Sequence, residues 1–213
     1  MVAVLPQLIS SVMPDSTDNV QERQIITKVL NQSEAPMGRP PAIVLMDPKY
    51  AHNVGMVVRL ASCYGLGQVW FTGERLSLDI SFRKRIPREE RMKGYADVEI
   101  INYDYPFEQF ADVVPVAVEV RKNSEPLHNF EHPQNAVYVF GPEDGSVSKP
   151  HLNRCHRFVV TPTKHCLNLA TAVAPMLWDR QYKEWMNGSQ QGTTTSGEYE
   201  GRGLVEFPDD IVW

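Results

Sequence analysis

Three short segments of this 213-residue chain hold the side chains best suited to chemistry: 52-HNVGMVVRLASCYGLG-67, 140-FGPEDGSVS-148 and 161-TPTKHCLNLATAV-173. They supply glycines, the carboxylate of Glu143, the amides of Asn53 and Asn168, and the guanidinium of Arg59. A guanidinium can hold a phosphate and stabilise charge developing on an oxygen. A guanidinium holds its proton so firmly that proton abstraction by it is hard to accept, so Arg59 reads as an electrostatic positioning group. The carboxylate and the two amides would fix hydrogen bonds in the loops around it. Asn53 and Asn168 are equally suited to capping the helices they open, Glu143 to bonding loop amides, and Arg59 to a surface ion pair.

Elements of regular length must hold these segments together. Apolar runs of strand length recur at AIVLM (42–46), QVWFT (68–72), DVEII (97–101), VPVAVEV (114–120), AVYVF (136–140) and RFVVT (157–161). The three segments follow the first, fifth and sixth of them. Helical stretches lie between the strands, the clearest over 53–65, with Asn53 as cap and Gly65 as terminator, and over 168–186. This alternation predicts an α/β domain with a mostly parallel sheet and helices on both faces. Ligands of such sheets bind beyond the strand carboxyl ends, where all three segments fall. Trp178, Tyr182 and Trp185 share one face of the last helix, a stripe expected to be core or otherwise a subunit interface.

Residues 1–40 read as an N-terminal extension, with a short helix at NVQERQIITKVL followed by the breaker-rich SEAPMGRPP. Residues 41–186 form the expected domain. Residues 187–213 are a polar, Gly-rich tail that closes with LVEFPDDIVW and is expected to dock or fray.

A hydrophobic content of 42% is enough for one substantial core. The longest apolar runs, PAIVLM and VVPVAVEV, are of strand length, so no segment could span a bilayer. The first residues lack the basic start and cleavage pattern of a secretory signal, and a cytoplasmic location is expected. Cys63, Cys155 and Cys166 form no CxxC pair, which suits a reducing compartment. His151, Cys155, His156, His165 and Cys166 lack the tight paired spacing of a zinc site, so no metal is expected.

The formal net charge is −5, yet RKRIPREERMK over 83–93 sets six basic residues against Glu89 and Glu90 alone. A second stretch carries Lys149, Arg154, Arg157 and Lys164 without an acid. Concentrated positive charge on an acidic background suits a localised phosphate contact, and equally a solvated helix face.

Asn53, Gly55 and Arg59 at a helix start, then Phe140 to Glu143 as FGPE, then Leu167 to Ala170 as LNLA opening the last helix, form a combination with strong specificity. From about Pro41 to Tyr182 the chain resembles the SpoU (TrmH-like) branch of the SPOUT RNA methyltransferases. The resemblance implies a C-terminal deep trefoil knot, a rarity that no periodicity reveals. It implies binding of S-adenosylmethionine in that knot, a homodimer whose two subunits complete the sites, and transfer of a methyl group to a ribose 2′-hydroxyl of structured RNA, either tRNA or rRNA. It assigns functional roles to Arg59, Asn53, Glu143 and Asn168, cofactor contacts to the backbone of Gly141 and Thr161, and a place in the pocket wall to Leu167. Such an enzyme aligns an already activated methyl group with an oxygen and assists loss of that oxygen's proton, without a metal. Here Gly145 stands one place earlier than the family's glycine, the loop from Thr161 to Asn168 is shorter, and Cys166 replaces a serine.

Two other readings fit the residues. A catalytically inactive knotted RNA-binding protein would bind RNA in a salt-sensitive manner without the cofactor, and an α/β enzyme acting on a small nucleotide would ignore charge reversal in RKRIPREERMK.

Overall fold

The computed structural model describes residues 35–76 and 98–188. The RKRIPREERMK stretch, the expected helix at NVQERQIITKVL and the closing LVEFPDDIVW lie outside the described residues. In chain order the elements are β1 (Ala42–Leu45), α1 (Ala51–Cys63), β2 (Gln68–Phe71), β3 (Glu99–Asn102), β4 (Val114–Val118), β5 (Glu125–Pro126), β6 (Ala136–Phe140), α2 (Lys149–Leu152), β7 (Arg157–Val160) and α3 (Leu169–Met186). Two 3-10 turns, Pro106–Gln109 and Leu127–Asn129, complete the set.

The strands form one seven-stranded sheet in the order β3-β2-β1-β6-β4-β7-β5, and every pairing is parallel. β1 and β6 are buried along their whole length, which is why they read as unbroken apolar runs rather than alternating ones. Their neighbours fix the register, with Val44 of β1 set between Trp70 of β2 and Val139 of β6. β1, β2 and β3 run to one edge of the sheet. β4, β7 and β5 fill the other side, and β6 is inserted between β1 and β4. Parallel strands leave crevices at their carboxyl ends where the order changes direction in this way.

Each strand sends alternate side chains to two separate cores. Ile43, Leu45, Tyr138 and Phe140 meet α1 and α3 on one face. Ala42, Val44, Val137 and Val139 meet Phe107 and Phe110, from around the first 3-10 turn, and Leu152 of α2 on the other. Helices therefore do cover both faces, but among the described residues both long helices sit on the same one.

α1 turns Ala51, Val54, Val57, Val58 and Ala61 inward at helical spacing, and the small residues at both ends let it lie close to the sheet. α3 does the same with Leu169, Ala170, Val173, Met176 and Leu177. Full burial of a Val or Met side chain contributes about 1.5–3 kcal/mol, so these two faces supply most of what holds the helices down. The stripe of Trp178, Tyr182 and Trp185 points the other way, 55%, 43% and 73% exposed, with Trp178 and Tyr182 stacked at 5.1 Å. It is not core. Met176 and Leu177 already fill the inward side of α3, and the aromatics fall on the opposite face.

The second half of α3 is tied to the loop before β6 through buried polar groups. His132 bonds through Nδ1 to the Tyr138 hydroxyl at 2.6 Å and through Nε2 to Asp179 at 2.8 Å. Lys183 donates to Asp179 at 2.7 Å and to the carbonyls of Leu127 and Phe130. Arg180 donates to the carbonyls of Pro133 and Gln134 and to the Tyr138 hydroxyl. Burial drives the His132 pKa down to about 4, against the opposing pull of Asp179. His132 is thus neutral in the folded protein wherever an unfolded histidine, near 6.5, would be charging.

The unfolded chain binds the extra proton between those two values. Folding stability should fall as pH drops from about 6.5 towards 4, and be insensitive to this residue above about 6.5. Urea titrations across that range should show the slope in the wild-type protein and its reduction in His132→Gln. Equal slopes in the two proteins would mean that His132 does not control it.

Candidate functional site

The site begins where β1 and β6 end side by side. α1 starts just after β1, at Ala51, with Tyr50 in the capping position and no side chain of its own to cap with. The loop after β6 instead holds the two residues that lead into the helix. Glu143 accepts from the backbone amide of Lys49 at 2.8 Å and of Tyr50 at 3.4 Å. A carboxylate at a helix N-terminus is favoured by the helix dipole as well as by these bonds.

Asn53 is therefore not the cap of α1. It lies inside the first turn, 2% exposed, and its side-chain amide donates to Glu143 at 2.6 Å. Its carbonyl accepts from the side-chain amide of Asn168 at 3.0 Å. Asn168 does cap its helix, with its carbonyl accepting from the amides of Ala170 at 3.0 Å and Thr171 at 3.4 Å. A carboxylate has no proton to give, so Asn53 must turn its amide towards Glu143. That choice fixes Asn168 in turn. The result is one continuous chain of donors from the start of α3 to the charge of Glu143.

Ion pairs fix the rim of the same loop. Arg75 donates to both carboxylate oxygens of Asp144, at 2.9 and 3.1 Å, and Lys49 donates to one at 3.2 Å. These contacts, Arg75 first, hold the Asp144 carboxyl below the usual carboxylate range. They tie the loop after β6 to those after β1 and β2.

Beside this hub, the carboxyl ends of β4, β6 and β7 open into a cleft of about 200 Å³. Gly141, Glu143, Thr161 and Leu167 all line it. A Cβ on Gly141 would lie 2.9 Å from the backbone nitrogen of Val147, so the loop can fold back this tightly only over a glycine. The hydroxyl of Thr161 is buried in the structure with no hydrogen-bond partner. A buried hydroxyl in a cleft wall is costly unless a ligand satisfies it.

Six of the seven residues singled out in the sequence thus converge, and Arg59 stands apart. It is exposed on α1 and is not among the residues lining the cleft of its own chain. In the basic stretch from Lys149 to Lys164, two of the four basic residues are engaged in ion pairs. Arg157 makes a two-pronged pair with Glu125, both bonds 2.9 Å, and Arg154 pairs with Glu108 at 3.5 Å. Sequence reasoning also passed over Glu119, which lines the cleft at the end of β4. The signal was a lone acid closing the apolar run VVPVAV.

The model of the SpoU rRNA Methylase family matches residues 40–178. No curated protein matches the chain. Among solved structures, the SpoU methyltransferase AviRb from Streptomyces viridochromogenes, in complex with AdoMet, is similar at a TM-score of 0.57 and 18% identity, covering 68% of this chain and 60% of that one. The TrmH/SpoU tRNA modifying enzyme of A. aeolicus is similar at a TM-score of 0.60 and 18% identity, covering 84% of this chain and 91% of that one. A third structure, described for 2-OH methylation of C/U34 on tRNA, gives 0.52 at 20% identity and covers 68% and 90%. This chain spans only about three fifths of the length of AviRb. At such identities the likeness establishes a shared fold.

Asn168→Ala removes both the cap of α3 and the donor to Asn53, and should lower folding stability by about 1–2 kcal/mol. A double-mutant cycle with Asn53→Ala, read by chemical denaturation, should give a coupling of about 1 kcal/mol. Strict additivity would mean that the two amides act independently.

Proposed function

We propose that this chain, which belongs to the SpoU rRNA Methylase family, is an S-adenosylmethionine-dependent methyltransferase acting on a ribose 2′-hydroxyl of tRNA or rRNA. The observation that carries the reading is the convergence of Asn53, Glu143 and Asn168 in one hydrogen-bonded chain beside a cleft walled by Gly141, Thr161 and Leu167. The fold shared with AdoMet-bound AviRb, and with a structure described for 2-OH methylation of tRNA, supports it. A trefoil knot around the cleft is part of the same proposal.

The residues present fit the cofactor. Leu167 offers an apolar wall, the unpartnered Thr161 hydroxyl a hydrogen-bonding group, and Gly141 a stretch of backbone on which no side chain is tolerated. When bound, the cofactor supplies a methyl group already activated by its sulfonium. The protein's task is then alignment and charge management. Glu143, Asn53 and Asn168 hold the loops after β6 and β1 and the start of α3 in one geometry, so that the cleft is formed before its ligands arrive. Arg59 holds a phosphate next to the target ribose and stabilises negative charge as the hydroxyl proton leaves to water or phosphate.

Arg59 does not line the cleft of its own chain, which favours a homodimer in which each subunit's Arg59 serves the other's site. The exposed stripe of Trp178, Tyr182 and Trp185 offers an apolar surface for such an interface. No described helix is long and apolar enough to cross a membrane.

Arg59→Ala should lower methylation turnover by about a hundredfold or more while leaving cofactor affinity within about twofold. Ribonucleoside mass spectrometry of treated RNA and calorimetric titration would measure the two. Unchanged turnover would remove Arg59 from the mechanism. RNA binding by a wild-type protein that takes up no cofactor would favour an inactive, knotted RNA-binding protein.

A further inference from the structure

Glu119 is a cleft residue that the three motifs leave unexplained. It follows β4 directly, and its backbone is held on both sides. Its amide donates to the carbonyl of Val159 at 3.0 Å, and its carbonyl accepts from the Ser124 hydroxyl at 2.7 Å. One carboxylate oxygen accepts from the amide of Val147 at 3.2 Å, across the tight turn that Gly141 permits. The other oxygen has no partner among the described residues.

The cleft contains a second carboxylate, Glu143, whose charge is already met by two backbone amides and the amide of Asn53. Glu119 has a single amide to set against its charge. Among the described residues that line the cleft there is no Lys, Arg or His. A half-buried carboxylate with spare acceptor capacity, in a cleft without cations, attracts positive charge more strongly than it would in open water.

We propose that Glu119 makes the cleft selective for a cationic ligand, so that the methyl donor in its sulfonium form binds more tightly than its demethylated product. This rests on the reading of the cleft as the methyl-donor site. The donor and the product share an adenosine, an ammonium and a carboxylate, and differ by the methyl group and the positive charge on sulfur. Methyl transfer would break the carbon–sulfur bond and form the carbon–oxygen bond, with the hydroxyl proton leaving to water or phosphate and an electron pair returning to sulfur, which becomes a neutral thioether. The attraction of Glu119 for that sulfur falls away at the moment the product is made. The carboxylate thus favours loading of the donor and release of the product, and it limits inhibition by accumulated product.

The test is calorimetric titration of the full chain with S-adenosylmethionine, with S-adenosylhomocysteine, and with sinefungin, an unreactive analogue that carries an ammonium in place of the sulfonium. The wild-type protein should bind the two cationic ligands at least about fivefold more tightly than S-adenosylhomocysteine. Glu119→Gln keeps an acceptor for the Val147 amide. It should weaken the two cationic ligands by about tenfold and S-adenosylhomocysteine by less than about twofold. Equal wild-type affinities for all three would overturn the proposal even if the variant failed to fold. An equal loss for all three in the variant, or no loss, would overturn it as well. A wild-type protein that binds none of them would instead overturn the methyl-donor reading, from which the proposal starts.

Discussion

A single carboxylate, Glu143, gathers the start of two helices. α1 begins without a capping side chain of its own, and the two amides that lead into it, those of Lys49 and Tyr50, find their acceptor in a loop more than ninety residues further along the chain. α3 begins with its own cap, Asn168, but the other end of that side chain leads through Asn53 to the same carboxylate. Every donor in the series points towards the negative charge, and the positive end of α1 lies beside it. Polarised in one direction, such a chain strengthens each of its members. Because Asn53 is almost fully buried, losing any partner would leave a polar group without water to replace it.

The sheet places the carboxylate where it can do this. β6 lies between β1 and β4, so the loop after β6 has the start of α1 on one side and the ends of β4 and β7 beyond it on the other. The first neighbour gives the hydrogen-bonded hub and the second gives the cleft. α3 is restrained along its whole length. Its first turn belongs to the hub, its middle packs Val173, Met176 and Leu177 on the sheet, and its second half is bonded to the loop before β6 by Asp179, Arg180 and Lys183. A helix fixed at several points is a firm support for a ligand site, because the alignment demanded by group transfer tolerates little movement.

Charge is divided between regions. Within the cleft the charged side chains, Glu119 and Glu143, are both acidic, and the nearby cations, Lys49 and Arg75, are paired with Asp144 on the rim. The guanidinium proposed to meet a phosphate, that of Arg59, lies on the outer side of α1. A site for a cationic donor and a site for an anionic RNA backbone have opposite electrostatic needs, and the proposed dimer, with each chain contributing one of them, would meet both.

Most of the elements were legible in the amino-acid order, and so were the three segments that meet at the hub and the cleft. AVYVF is a continuous apolar run because its strand is covered on both faces, and the observed strands match the expected spans to within a residue or two. Asn168 reads as a cap because a cap's acceptor and its amides are near neighbours in sequence. Tertiary structure alone decided the rest. Asn53 was expected to cap α1, but Tyr50 takes that position and the Asn53 side chain bonds to Glu143 instead, and no local pattern records a bond across that distance. β5 is too short to show a period, and its role as an edge strand depends on β7 lying beside it. Glu119 looks like the polar end of a strand until the turn from Gly141 to Val147 folds over it. Trp178, Tyr182 and Trp185 have the spacing of a buried face, and only the packing of Met176 and Leu177 shows which side of the helix meets the sheet. Periodicity reports which side chains share a face, but the direction that face takes is set by contacts distant in sequence.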